Sequence, residues 1–217
     1  MNISKQLLKF KPYASSWPMI AFLTICGFLI GLSVDAPFIF TFASLSLGIY
    51  LFRVDVPITP LNQKIIISPI NGKIIDIQET NSANIWGFEP TEYCTFSIKC
   101  GISSAASLHA PALITISDKQ VISDNTGIKT FLKATINRPD KGTGQHNLEE
   151  IGLVLCQAIT YWQPQCEVEV GDIISAGQVF GFLMFGGRVD LLVPNYYSIT
   201  RILNQSCIAG ETLLAEK

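Results

Sequence analysis

Two apolar runs near the start of the chain constrain its fold more than any other feature. Residues 17–34 and 36–52 carry no charge, and Asp35 is the one charged residue between Lys11 and Arg53. A helix rises 1.5 Å per residue and needs about 20 apolar residues to cross the hydrocarbon of a bilayer. Both runs approach that length. Asp35-Ala36-Pro37 has the composition of a tight turn. The pattern therefore predicts a hairpin of two membrane helices, over about 17–34 and 36–52, that enters and leaves on one side. A cleaved signal peptide fits worse, because the stretch is too long and no small-residue site ends it. A shallow hairpin lying in the interface is the other arrangement that buries the same residues. Lys5, Lys9, Lys11 and Arg53 against Asp35 give residues 1–53 a net charge of +3. The positive-inside rule then places those cations, and the rest of the chain, on the cytoplasmic side.

Composition sets the remainder of the chain apart from this hairpin. Charged residues are only 15% of the 217 residues and hydrophobic ones 48%, with a mean hydropathy of +0.37. Soluble domains carry about 25% charged residues, so neither a disordered chain nor a purely soluble one is expected. Residues 54–217 hold 11 basic and 16 acidic groups, and the whole chain is −2. That balance argues against nucleic acid as a partner, which calls for a basic footprint. The six cysteines, at 26, 94, 100, 156, 166 and 207, form no CxxC pair and no Cys/His cluster. No metal site and no small disulfide scaffold is expected; reduced, buried thiols suit a cytoplasmic domain.

After Arg53 the long apolar runs give way to short ones. Residues 64–68, 73–77, 93–98, 112–116, 152–160, 179–185, 189–193 and 199–203 are rich in Ile, Val, Phe and Thr, and Gly, Pro, Asn and Asp punctuate them. They read as strands. Residues 148–160 fit a helix as well as a strand, and 127–147 has the weakest pattern and reads as a mobile loop. The stretch from Glu167 to Gln178 has the form VxxGDxIxxGQ; Cys207 to Leu214 repeats its second half, and Pro69 to Ile75 is a related element. Glycines at the bends and paired aliphatics beside them resemble the barrel-sandwich hybrid fold of lipoyl and biotinyl carriers. Lys73 follows Asn71-Gly72, where a carrier displays its lysine, but the flanking Met or Asp is missing. The expected architecture is a mainly β domain over 54–217 behind a membrane hairpin over 1–53.

Taken in order, the motifs resemble the phosphatidylserine decarboxylase family of the short bacterial type. Leu51-Phe52-Arg53 with Pro57 resembles its FFR-P. Ser68-Pro69-Ile70-Asn71-Gly72-Lys73-Ile74 resembles SPADGKV, and Ser97 through Pro111 resembles SIFMSPLDVHVNRAP. The most specific match runs from Gly171-Asp172 through Gly177, Phe180-Gly181, Phe185-Gly186-Gly187-Arg188-Val189-Asp190 to Pro194. It is similar to GDxVxxGxxFGxIxFGSRVDxxLP. Ala209-Gly210-Glu211-Thr212 resembles the closing GET motif.

The resemblance implies a lyase of phospholipid biosynthesis. It would form phosphatidylethanolamine from phosphatidylserine, sit at the inner membrane with phospholipid as its partner, and assemble with its own copies or another family member. Such an enzyme makes its own pyruvoyl cofactor. A serine hydroxyl attacks the preceding glycine carbonyl, the chain splits there, and the serine residue becomes the electron-accepting ketone, with His and Asp assisting. This chain departs from the family at each of those positions. Gly187 stands where the serine of Gly-Ser-Arg is expected, behind Gly186; Asn71 replaces the Asp of SPADG; Ala106 replaces the first His of VHVNRAP. Glycine has no hydroxyl and no β-carbon, so it can neither attack nor be eliminated, and none of the 16 glycines precedes a serine. The expectation is a chain that keeps the fold, makes no pyruvoyl group and holds no cofactor. An active decarboxylase working by another route, or a membrane-anchored adaptor, is the alternative, though an export adaptor needs a long heptad hairpin that is lacking. His109 is the residual catalytic candidate, with capping of a strand end as its plain role. His146 reads as a loop surface residue, Arg188 and Asp190 as a structural pair on one strand face, and Lys73 and Lys99 as solvated.

Overall fold

A computed structural model describes residues 12–60, 64–81, 92–125, 127–136, 149–159 and 161–217. The chain divides into two compact units, Met1–Val56 and Pro57–Lys217.

The first unit is a helical hairpin. A short 3-10 turn, Ala14–Ser16, leads into α1 (Trp17–Ser33), and α2 (Pro37–Leu51) returns. Both helices open on a proline in the first turn, where its missing N–H costs nothing. The reversal is made at Asp35, whose φ of 53° is left-handed, and the Ala36 N–H closes onto the Gly31 carbonyl at 2.9 Å. Pro12 bridges Arg53, so the chain enters and leaves at the same end. Between the helices lie Ile20, Gly27, Gly31 and Gly48, all buried, while Phe38 (78% exposed), Ile39 and Phe42 point outward. Small residues inside and large apolar ones outside is the packing expected of helices in lipid. Thr24, Ser33, Thr41 and Ser44 turn their hydroxyls onto carbonyls three or four residues back, so these four groups are paired within their own helices. Ala14–Ser33, at 20 residues, is long and apolar enough to cross a membrane; α2, at 15, is shorter.

The second unit is built from antiparallel strands: β1 (Ile65–Ile67), β2 (Gly72–Asn81), β3 (Glu92–Cys100), β4 (Ser107–His109), β5 (Ile114–Asp124), β6 (Gly127–Ile136), β7 (Glu149–Gln157), β8 (Gln165–Cys166), β9 (Ile173–Ile174), β10 (Val179–Phe182), β11 (Gly187–Pro194), β12 (Ser198–Ile199), β13 (Ser206–Cys207) and β14 (Leu213–Glu216). Eight of them form one sheet in the order β13-β2-β3-β11-β7-β6-β5-β9, beside three-stranded sheets β1-β14-β12 and β4-β10-β8. The domain is mainly β, as the residue pattern implies.

Alternation gives the large sheet two unlike faces. Ile74, Ile98, Val189 and Leu155 occupy one row across β2, β3, β11 and β7, and Phe96, Leu191, Leu153 and Leu132 the next; all are fully buried. The opposite face carries Arg188 and Asp190 on β11, then Leu192, Tyr93, Val154 and Phe131 packed as a second apolar cluster further along.

Two expectations change. The first ten residues of the stretch expected as a mobile loop, 127–147, form β6, hydrogen-bonded to β5 on one side and β7 on the other. Its outward Lys129, Lys133 and Thr135 disguise a strand whose other side is core. Residues 137–148, with His146, lie outside the described residues. The second change is at 199–203, where only Ser198–Ile199 is strand; the chain then turns through Asn204 at φ 69°. At 148–160, which fits helix and strand alike in sequence, Glu149–Gln157 is strand. The repeat elements do pair as short strands, with positive φ at Gly171, Gly177 and Gly210.

Candidate functional site

Gly187 opens β11, the strand at the middle of the large sheet. It is paired with Cys100 on β3 and Gln157 on β7. The preceding turn holds Phe185 and Gly186 at left-handed φ of 60° and 79°. It is closed by the Gly186 N–H on the Leu183 carbonyl at 3.2 Å and by the Ala158 N–H on the Gly186 carbonyl at 3.0 Å. A β-carbon at Gly187 would fall far inside contact distance of the Cys156 carbonyl oxygen, and 3.1 Å from both Gln157 Cα and Leu183 Cδ1. At Gly186 it would meet the Cys100 carbonyl oxygen at 2.7 Å. These obstacles are mostly backbone in paired strands, which cannot step aside as a flexible side chain can. The space that a serine side chain needs at 187 is filled.

Single hydrogen bonds bring the other two substituted positions to this turn. The Asn71 side-chain amide donates to the Ala105 carbonyl at 3.0 Å, and its oxygen accepts the Ala209 N–H at 2.9 Å. The next residue, Ala106, is buried, and its carbonyl accepts the Leu183 N–H at 2.9 Å. Leu183 in turn lies against Gly187. The three positions that are far apart in sequence therefore form one chain of contacts. Two of them hold the residue their neighbours require: an amide at 71 because one partner is an acceptor and the other a donor, and no side chain at 187. An aspartate at 71 would present a carboxylate oxygen to the Ala105 carbonyl, with nothing to donate.

His109 ends β4 and is fully buried, as is Ser107. Its Nδ1 lies 2.9 Å from the Gly177 carbonyl, and its Nε2 2.9 Å from Ser107 Oγ. A carbonyl only accepts, so in the neutral ring Nδ1 carries the proton and Nε2 accepts from the Ser107 hydroxyl. The pair ties β4 to the turn before β10. It is the remaining hydroxyl–imidazole pair near the turn, and it has no opening to solvent. Ser107 was not singled out by the sequence; the signal was its i, i+2 spacing to His109, which puts both on one strand face.

A family model described as phosphatidylserine decarboxylase matches residues 49–215. The chain belongs to the phosphatidylserine decarboxylase family. Curated relatives agree. It is 29% identical over 211 residues to a phosphatidylserine decarboxylase proenzyme of Ehrlichia ruminantium (strain Gardel), covering 91% of this chain and 86% of the relative. Those of Ehrlichia canis (strain Jake) and Ehrlichia chaffeensis (strain ATCC CRL-10679 / Arkansas) are 29% and 28% identical over the same shares. No solved structure matches the chain.

Within this family frame, the residues of the turn do not fit a pyruvoyl group, which needs a serine β-carbon at its origin. The Cys156 and Cys94 thiols are poor substitutes for the missing hydroxyl. Burial pushes the Cys156 thiol up, Asp190 adds to the effect, and Arg188 and Lys129 oppose it. Burial, then Glu79, pushes Cys94 up to about 11. Both stay protonated and poorly nucleophilic near neutral pH. Arg188 and Asp190 form their ion pair at 3.1 Å, and Asp190 also accepts from Ser97 at 2.7 Å. Among the described residues no three His, Cys, Asp or Glu side chains gather as metal ligands.

Proposed function

We propose that this chain is a membrane-held pseudoenzyme of the phosphatidylserine decarboxylase family: it does not cut itself, forms no pyruvoyl group and does not decarboxylate phosphatidylserine. The observation that carries this reading is Gly187, which lacks the atoms that self-processing consumes and sits where a β-carbon would strike the Cys156 carbonyl. The wired amide of Asn71 and the methyl of Ala106 support it from the positions of the assisting acid and base. The relatives are named proenzymes, chains that mature by being cut; the equivalent bond here is Gly186–Gly187. The hairpin, apolar outside and glycine-lined inside, holds the chain in the inner membrane with the β domain in the cytoplasm. Phospholipid is its surroundings and a second family chain its partner subunit.

Intact mass spectrometry of the purified protein tests the reading. The expected result is one chain near 23.8 kDa and no phosphatidylethanolamine on incubation with phosphatidylserine. A separate piece running from 187 to 217, or lipid turnover by the purified wild type, overturns it. The triple variant Gly187→Ser, Asn71→Asp, Ala106→His is expected to stay uncut, because the serine side chain at 187 would strike the Cys156 carbonyl and an aspartate at 71 would lose its bond to the Ala105 carbonyl.

A further inference from the structure

Register brings four of the 11 basic residues of the β domain into one line. Lys73 on β2 lies directly opposite Lys99 on β3, and Lys99 opposite Arg188 on β11. Arg188 is opposite Cys156 on β7, and Cys156 opposite Lys129 on β6. Directly paired residues point to the same face of a sheet. The row therefore crosses five adjacent strands, about 19 Å at the ordinary strand spacing. Lys73 and Lys99 are exposed, and neither makes an ion pair among the described residues. Arg188 is half exposed and shared with Asp190 in the next row. Like charges set directly opposite one another oppose sheet formation; Asp76 and Asp190, either side of Ser97 in the next row on this face, offset part of that repulsion, and the outward heads of Lys73 and Lys99 remain open to an anionic partner.

The surroundings name the kind of anion. Across β3, β11 and β7 this is the last row on its face; one further row, Cys100, Gly187 and Gln157, separates it from the Gly186–Gly187 turn. The segments that cap this end, 68–71, 101–106, 158–164, 183–186 and 200–205, contain no Asp or Glu, in a domain with 16 acidic residues. Asp124, in the β5–β6 hairpin beyond Lys129, is the acidic residue at the far edge. Two of these segments touch the turn: the Ala158 N–H binds the Gly186 carbonyl, and Gly101 lies against Gly186. They present Tyr161 (73% exposed), Ile102 (57% exposed), Trp162 and Ile159, and Trp162 stacks at a tilt on Phe185, 6.1 Å between rings. A free phosphate would need a concave nest. A straight row of cations behind exposed aromatic and aliphatic tips matches a flat surface with charge at its rim and apolar depth beneath.

We propose that this end of the β domain docks on anionic phospholipid: Tyr161, Trp162 and Ile102 enter the headgroup layer, and Lys73, Lys99 and Arg188 meet its phosphates. The proposal rests on the membrane reading above, and deepens it by naming the surface that faces the lipid.

The test uses the full chain with Trp17 and Trp86 changed to Phe, which leaves Trp162 as the reporter. The chain is reconstituted into vesicles of phosphatidylcholine alone or rich in phosphatidylglycerol, each with brominated acyl chains as quencher. The expected result is blue-shifted, several-fold more quenched Trp162 emission in the anionic vesicles only, lost at high salt. It is lost as well in Lys73→Glu/Lys99→Glu and kept in Lys73→Arg/Lys99→Arg. Equal emission in both vesicles, from chains that float with both, overturns the docking surface and leaves the hairpin standing. Failure to float with neutral vesicles, but salt-sensitive flotation with anionic ones, sinks the hairpin and supports the docking. A response to inorganic phosphate without vesicles overturns the lipid assignment in favour of a small-anion site.

Discussion

The hairpin and the β domain bury opposite things. In the hairpin, Gly27, Gly31 and Gly48 are inside and Phe38, Ile39 and Phe42 outside; in the β domain, Phe96, Leu153 and Val189 are inside and Lys99 and Arg188 outside. Apolar character alone therefore does not say which way a residue points. It says which solvent the element meets, and the small residues then mark where backbones approach. Glycine does the same work in both units. At Gly27 it lets α1 meet Ser44 and the Phe40 carbonyl of α2, and at Gly187 it lets β11 sit against the Cys156 carbonyl of β7. The difference is chemical: in the hairpin the close approach makes a fold, and in the sheet it occupies the place where a reaction would begin.

The largest effect comes from removing one side of the contrast. The full chain is expected to stay in the membrane fraction through high salt and carbonate and to need detergent for release, whereas deleting residues 1–53 moves the protein to the soluble fraction. Fractionation followed by immunoblotting reads this, and a carbonate-soluble full chain would break the comparison. Next, a side chain at either close approach should cost stability without altering anything else. Gly27→Leu and Gly187→Ser each overpack backbone, a change typically worth about 1–3 kcal/mol. For Gly187→Ser that corresponds to a fall in melting temperature of roughly 2–12 °C, and mass spectrometry should still find an uncut chain. A Gly187→Ser protein as stable as the wild type would mean that the turn opens freely. Smaller again is Asn71→Asp, which loses the half-buried bond to the Ala105 carbonyl, worth about 0.5–1.5 kcal/mol; denaturant titration against Asn71→Ala separates lost bonding from repulsion. The smallest effect is on pH dependence. The folded-state pKa of Cys94, about 11, lies above that of a free thiol. Its contribution is therefore complete below the unfolded value and lost as pH rises through the folded one, a slope of at most one proton. Alkylation rate against pH, with Cys94→Ala as control, measures it.

Much of this was legible in the residues. The helix bounds at Ser33 and Leu51 fall within a residue of expectation because Asp35 and Pro37 punctuate them. The strands of the C-terminal third follow their glycine bends. β6 was not legible: a central strand with lysines on its outer face lacks a clean alternating signal, and only its two neighbours reveal it. At the site, the absence of a hydroxyl at 187 is a fact of composition. The obstruction by the Cys156 carbonyl, the Asn71 bond to Ala105 and the line of cations through Lys73, Lys99 and Arg188 depend on strand register, which sequence spacing does not contain.

The central position of β11 bears on what the Gly186–Gly187 bond does for the molecule. The strand beyond it pairs with β3 at eight positions and with β7 at six, while β13 pairs with β2 and β14 with β1. The last 31 residues are thus woven into three parts of the domain. Severed at that bond by an added protease, the protein would stay together as one particle, its two pieces parting only under denaturant. Covalent continuity there is mechanically redundant, so an architecture of this kind tolerates a whole chain and a nicked one equally, and the presence or absence of the cut can change without a change of shape.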